Sequence, residues 1–91
     1  SGPLRVGAIP TLSPYLMPLI LAPLRRDYPQ MRMVLSEQIT ETLMQRLAKR
    51  EIDVALVATP VDDPALVCRE LFDEPFWLAH PRDSELYTHD E

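Results

Sequence analysis

The sequence predicts an α/β fold: a three-layer subdomain built on a parallel sheet. Two observations carry that prediction. Pro3 to Tyr28, PLRVGAIPTLSPYLMPLILAPLRRDY, reads as a short apolar strand running through a tight corner into an apolar-striped helix. Near-continuous apolarity over so few residues suits a strand covered on both faces. The chain then repeats the pattern, with a strand, a helix and a third apolar strand ending at Val57. Strand–helix–strand passages with crossovers this short close a right-handed parallel unit. The expected order is 2-1-3, with further strands beyond.

Strand one is Leu4, Val6, Ala8 and Ile9, with Arg5 its one charge. The corner is Ile9-Pro10-Thr11, and Thr11 is of a type that caps helices. Leu12, Leu16, Leu19, Ile20 and Leu24 form the expected apolar stripe of helix one. Pro14 is harmless in a first turn. Pro18 and Pro23 are not, because an interior proline removes a hydrogen bond and clashes with the preceding turn. A loose or 3₁₀ start and a kink near Pro23 are expected. Tyr28-Pro29 stops the helix.

Strand two is expected over Met31 to Leu35 or Ser36. Thr40 is the expected N-cap of helix two, and Glu41 suits its positive end. Leu43, Met44, Leu47 and Ala48 would be its buried stripe, and strand three is Ile52 to Val57. Val61-Asp62-Asp63-Pro64 is a loop by composition. Leu66 to Phe72 and Pro75 to Ala79 are expected strands, the second ending at His80-Pro81. Arg82 to Glu91 reads as a tail or linker.

Ninety-one residues make one domain at most, with a core of little margin. A net charge of −5 argues against this segment gripping nucleic acid by itself, since such proteins carry a basic face. Prolines and charges interrupt every apolar run, so no membrane span is expected. Ser1-Gly2-Pro3 carries neither the basic patch nor the apolar core of a signal peptide. The single cysteine, Cys68, excludes an internal disulfide and suits a reducing compartment. His80 and His89 lack metal-spaced partners, so no metal site is expected. No Ser-His-Asp, paired-carboxylate or phosphate-loop pattern is present, and an enzyme would need such groups. No cofactor is expected.

Three stretches together resemble one family: RVGAIPTLSPYLMPLILAPLRRDYP, TETLMQRLAKREIDVALVA and LFDEPFWLAHP. They resemble the effector-binding domain of LysR-type transcriptional regulators. GAIPTLSPYLMP and LFDEP are similar to its OxyR-like peroxide-sensor group. The resemblance covers nearly the whole chain. It implies a periplasmic-binding-protein-like fold of two hinged α/β subdomains. This chain has length for the first, residues 1–81, with 82–91 leading toward a missing second. It implies a DNA-binding helix-turn-helix upstream, a cytoplasmic location, and dimers or tetramers of the full-length regulator. One departure stands out. The family usually places glycine ahead of the acidic-apolar-Asp entry to strand three, and here that position is Arg50. A non-glycine residue in a left-handed helix stop is strained by ~1 kcal/mol.

Thr11 and Thr40 follow strands that would end on one sheet edge, where open α/β sheets hold ligands. By resemblance these positions, with Pro10, line the effector pocket, and both match threonines near bound peroxide in the peroxide sensors. Capping and ligand contact are compatible roles. Ala58 and Thr59, at the end of strand three, are further candidates on the same geometric rule, and Thr59 also suits a turn. Met31, Met33, Met44 and Leu47 are candidates for a dimer interface where they face the surface, and for core where they do not. The resemblance places reactive cysteines in the other subdomain, so Cys68 is read as a passive small apolar residue.

The expected function is effector sensing, with peroxide as effector. A metabolite-sensing regulator and half of a periplasmic solute-binding protein are the alternatives. A small α/β enzyme is a third, disfavoured by the missing phosphate loop.

Overall fold

The computed structural model describes residues 2–71 and 76–83. The expected ends of strands at Phe72 and Pro75, the tail beyond Asp83 and His89 lie outside them. Five strands form one sheet: β1 (Leu4–Ala8), β2 (Met33–Glu37), β3 (Val54–Val57), β4 (Leu66–Leu71) and β5 (Phe76–Pro81). Their order is β2-β1-β3-β5-β4. The 2-1-3 core is parallel, as the sequence predicts. The two added strands are not. β5 runs antiparallel to β3, and β4 antiparallel to β5, so the sheet is mixed.

The helical segment after β1 is where the prolines act. A 3₁₀ turn at Pro10–Leu12 leads into α1 (Ser13–Leu16), a π-helical stretch at Met17–Leu21 and α2 (Ala22–Asp27). Pro18 lies in the wide turn and Pro23 in the first turn of α2. Neither can donate to the carbonyl four residues back. The wide turn takes up one extra residue and rotates the buried stripe. Leu12 and Leu16 are buried at spacing four, and Leu21 is buried at spacing five from Leu16. Leu19, expected in the stripe, is 43% exposed.

β2 starts two residues later than expected. Met31 is still in a turn, its N–H bonded to Tyr28 O at 3.0 Å, and pairing begins at Leu4 opposite Met33. β3 also starts two residues late, at Val54. Its entry is fastened by Asp53, whose N–H donates to Arg5 O at 2.8 Å while its carboxylate accepts the Arg5 N–H, also at 2.8 Å.

α3 (Thr40–Ala48) covers the sheet face opposite α1 and α2, which completes the third layer. A Cβ on Gly7 would collide with Leu43 Cδ2 and meet Ile52 Cδ1 at 2.9 Å. Glycine lets α3 approach that closely. Leu43 and Leu47 are buried, whereas Ala48, expected with them, is exposed. α3 ends in a Schellman motif. Glu51 N–H bonds Arg46 O at 2.8 Å and Arg50 N–H bonds Leu47 O at 3.0 Å, with Arg50 at φ 61°. The non-glycine residue flagged in the sequence therefore occupies the left-handed position the motif requires.

The core is Val6, Ala8, Ile9, Leu12, Leu16, Leu21, Leu43, Leu47, Ile52, β3 and Ala79. All four residues of β3 are buried, as befits the central strand.

Candidate functional site

β1, β2 and β3 are parallel, so Ala8, Glu37 and Val57 all end on one edge of the sheet. The edge is closed by Ile9 N–H to Leu56 O at 3.2 Å and by Gln38 N–H to Ala8 O at 3.0 Å. Three chain segments leave from it: Pro10-Thr11, Ile39-Thr40 and Ala58-Thr59. The strand direction thus brings all five predicted pocket residues to one side of the fold. Because β5 is antiparallel to β3, Phe76 and Trp77 begin on the same side, with Trp77 opposite Val57.

The threonines do not cap. Ile9 is the N-cap of the 3₁₀ turn, with φ −72° and ψ 148°, and Pro10 is its first residue. Thr11 comes second and makes no side-chain cap. Ile39 caps α3 with φ −71° and ψ 160°, its carbonyl accepting Leu43 N–H at 3.0 Å, and Thr40 is already inside the helix. The sequence placed both caps one or two residues late. The cause is physical: Ile9 and Ile39 take the extended backbone that continues their strands, and the turn begins only after it. Among the described residues neither threonine hydroxyl makes a hydrogen bond. Thr11, Pro10 and Thr59 are exposed, and Thr40 and Ala58 half-buried.

Two groups escaped the sequence reading. The Ser13 hydroxyl donates to the Glu37 carboxylate, which ties the start of α1 to the end of β2. Tyr15 packs on Phe76, ring centres 5.2 Å apart and planes at 46°, on the same side. No local pattern marks the first pair, but the topology brings its members together. Ser13 lies two residues past Thr11, and Glu37 closes β2, so parallel pairing sets both beside the threonines.

The interface candidates separate. Met31 is 37% exposed and Leu47 only 1%. Leu47 is core of this chain, because it sits on the face of α3 that meets the sheet. Met33 and Met44 are half-buried against the core. The exposed apolar residues near Met31 are Val34 at 52%, Leu35 at 41% and Ile39 at 63%. They lie on or beside β2, a sheet edge that among the described residues has no neighbour on its outer side.

Cys68 sits mid-strand in β4 opposite Ala79, half-buried, its sulfur 3.5 Å from Val61 N. His80 is buried, with Nδ1 2.8 Å from Pro81 O. Among the described residues no three His, Cys, Asp or Glu side chains converge as metal ligands. No helix among the described residues is long and apolar enough to cross a membrane.

The chain is 41% identical over 83 residues to a hydrogen peroxide-inducible genes activator of Pectobacterium carotovorum, covering 91% of this chain and 28% of that protein. It therefore spans little more than a quarter of this relative's length. The reduced OxyR regulatory domain of Pseudomonas aeruginosa superposes with a TM-score of 0.70 at 37% identity, over 77% of this chain and 34% of that one. A Corynebacterium glutamicum OxyR mutant solved with hydrogen peroxide bound gives 0.69 at 36% identity, over 79% of this chain and 22% of that one. A family model described as the LysR substrate binding domain matches residues 1–91 from end to end. The chain belongs to the LysR substrate-binding domain family.

Proposed function

We propose that this chain is the first subdomain, residues 1–81, of the sensor domain of a LysR-type regulator that responds to hydrogen peroxide. Residues 82–91 lead toward the second subdomain. The observation that carries the reading is the pair of threonines, Thr11 and Thr40. Both stand on the carboxyl edge of a parallel sheet, and neither hydroxyl is engaged by the described residues. Hydroxyls left open at that edge are what a small polar ligand needs. The similarity to peroxide-inducible activators supplies the ligand class.

The mechanism is allosteric, without catalysis by this subdomain. A ligand held between two subdomains binds one packing of them more tightly than another, and the difference in affinity shifts the equilibrium. The shift would reach DNA through a helix-turn-helix domain on the same cytoplasmic polypeptide. Self-association uses the β2 edge. Met31 and Met33 contribute, with Met44 from α3, and Val34, Leu35 and Ile39 extend the patch.

The test is a promoter fusion in cells whose only copy of the full-length regulator carries Thr11→Val or Thr40→Val. Valine keeps the shape and removes the hydroxyl. Loss of peroxide induction, with DNA binding retained, supports the reading. Full induction in both variants rejects it. Induction by a metabolite and not by peroxide would reassign the effector.

A further inference from the structure

The charges at the threonine edge are one-sided. Segments 9–13, 37–45 and 58–61 contain no lysine, arginine or histidine, and they contain Glu37 and Glu41. The nearest guanidinium by contact is Arg46. It reaches Ser36 Oγ at 3.4 Å and is paired with Glu51 at 3.4 Å, so its charge is partly answered. Glu37 is also held in place. Its carboxylate accepts the Ser13 hydroxyl, from the turn that carries Thr11, and it lies three residues ahead of Thr40. A fixed negative charge therefore stands beside the two threonine segments, and the described residues of those segments offer an anion no cation of their own.

We infer that Glu37, positioned by Ser13, is a specificity-determining residue that keeps anionic ligands off this edge and admits small uncharged polar ones. The inference rests on the proposed ligand role of Thr11 and Thr40. A like charge a few ångströms from a site disfavours a bound anion. Glu37 is exposed, so screening keeps the effect at the small end of its range, about tenfold. The Ser13 hydrogen bond matters because a carboxylate free to swing into water would exclude less. The serine hydroxyl also leaves the carboxylate its full charge, where an arginine partner would cancel it.

Acetamide and acetate make a matched pair of probes, nearly equal in shape and different in charge. Their binding is read from the threonine methyl signals of Thr11 and Thr40 in the full-length regulator. The native protein should bind acetamide about tenfold more tightly than acetate. Glu37→Gln should bring the two within about twofold, Glu37→Asp should keep the preference, and Ser13→Ala should reduce it. In the native protein, raising ionic strength from about 0.01 M to about 1 M should also narrow the preference, since the screening length falls from ~30 Å to ~3 Å. That measurement needs no variant to fold. Acetate bound as tightly as acetamide, or a preference unmoved by Glu37→Gln and by salt, overturns the filter while leaving the site. If neither probe moves either methyl signal, the ligand role of the threonines fails, and the filter with it.

Discussion

Arg5 and Asp53 are joined three times across the entry of β1 and β3. The Arg5 N–H donates to Asp53 Oδ2 at 2.8 Å, its Nε to the same oxygen at 3.3 Å, and its Nη2 to Oδ1 at 3.2 Å. A side-chain carboxylate thus takes the backbone donor that a longer β3 would have satisfied. Burial alone would raise the Asp53 pKa. The hydrogen bonds from Arg5 and its charge outweigh burial, and the pKa lies below the ordinary value.

The sign follows from linkage. A carboxyl whose folded pKa is depressed contributes stability above its unfolded pKa, near 3.9, and that stability is lost as pH falls through the folded value. Asp53→Asn should therefore be less stable than the native chain at neutral pH, and the gap should close below about pH 4. Asp53→Ala, which also strands the Arg5 N–H, should cost about 1–2 kcal/mol, a modest figure because the pair is partly exposed. Urea titrations at a series of pH values check both.

Arg50 should be replaceable with profit. Glycine adopts φ 61° without the Cβ penalty, so Arg50→Gly should add about 1 kcal/mol. The variant loses the pair with Asp83, 2.9 Å long, but those side chains are 57% and 74% exposed and the pair is worth little. A thermal midpoint raised by roughly 4–8 °C is expected for a domain of this size. A lower midpoint would show that the ion pair outweighs the strain.

Gly7→Ala should destabilise by about 1–3 kcal/mol, the usual cost of overpacking. The atoms in its way are the flexible ends of Leu43 and Ile52, which are 0% and 2% exposed, so they can move aside only by repacking the core. Gly7→Ala combined with Leu43→Val, measured against each single variant, should recover part of the loss. Additive losses would mean that the clash lies elsewhere.

Val34→Lys places a charge in the middle of the exposed β2 edge, a common device against edge pairing. If the full-length protein self-associates through this strand, its dimer dissociation constant should rise at least tenfold by sedimentation, since an ammonium buried without a partner costs several kcal/mol. An unchanged constant would move the interface off β2.

Much of this was open to reading in the sequence, for physical reasons. Parallel strands flanked by helices are apolar throughout, so β1, β3 and the 2-1-3 order announce themselves. Strand ends are harder. Met31 and Ile52 are as apolar as their neighbours, but β2 pairs only from Leu4, where β1 starts, and β3 only from Val6, because the Asp53 carboxylate takes the Arg5 N–H, and one strand does not reveal that. Leu19 misled because periodicity assumes one helix type, and the π-helical turn between Leu16 and Leu21 breaks the count. The shared edge followed from topology, so the sequence could place Thr11, Thr40, Ala58 and Thr59 on one side of the sheet. The Ser13–Glu37 bond joins residues 24 apart, and no local pattern marks such a pair.

The π-helical stretch has a consequence for chain length. It holds one residue more than its turn of helix requires, and the wide turn absorbs it. Deleting one residue between Leu16 and Leu21 would bring them to the spacing of four that an ordinary α-helix needs to bury both. The wide turn would close, and Thr11, Leu12, Ser13 and Leu16 would keep their faces. This stretch therefore tolerates a change of residue count that the regular turns on either side, with no surplus to give up, would not.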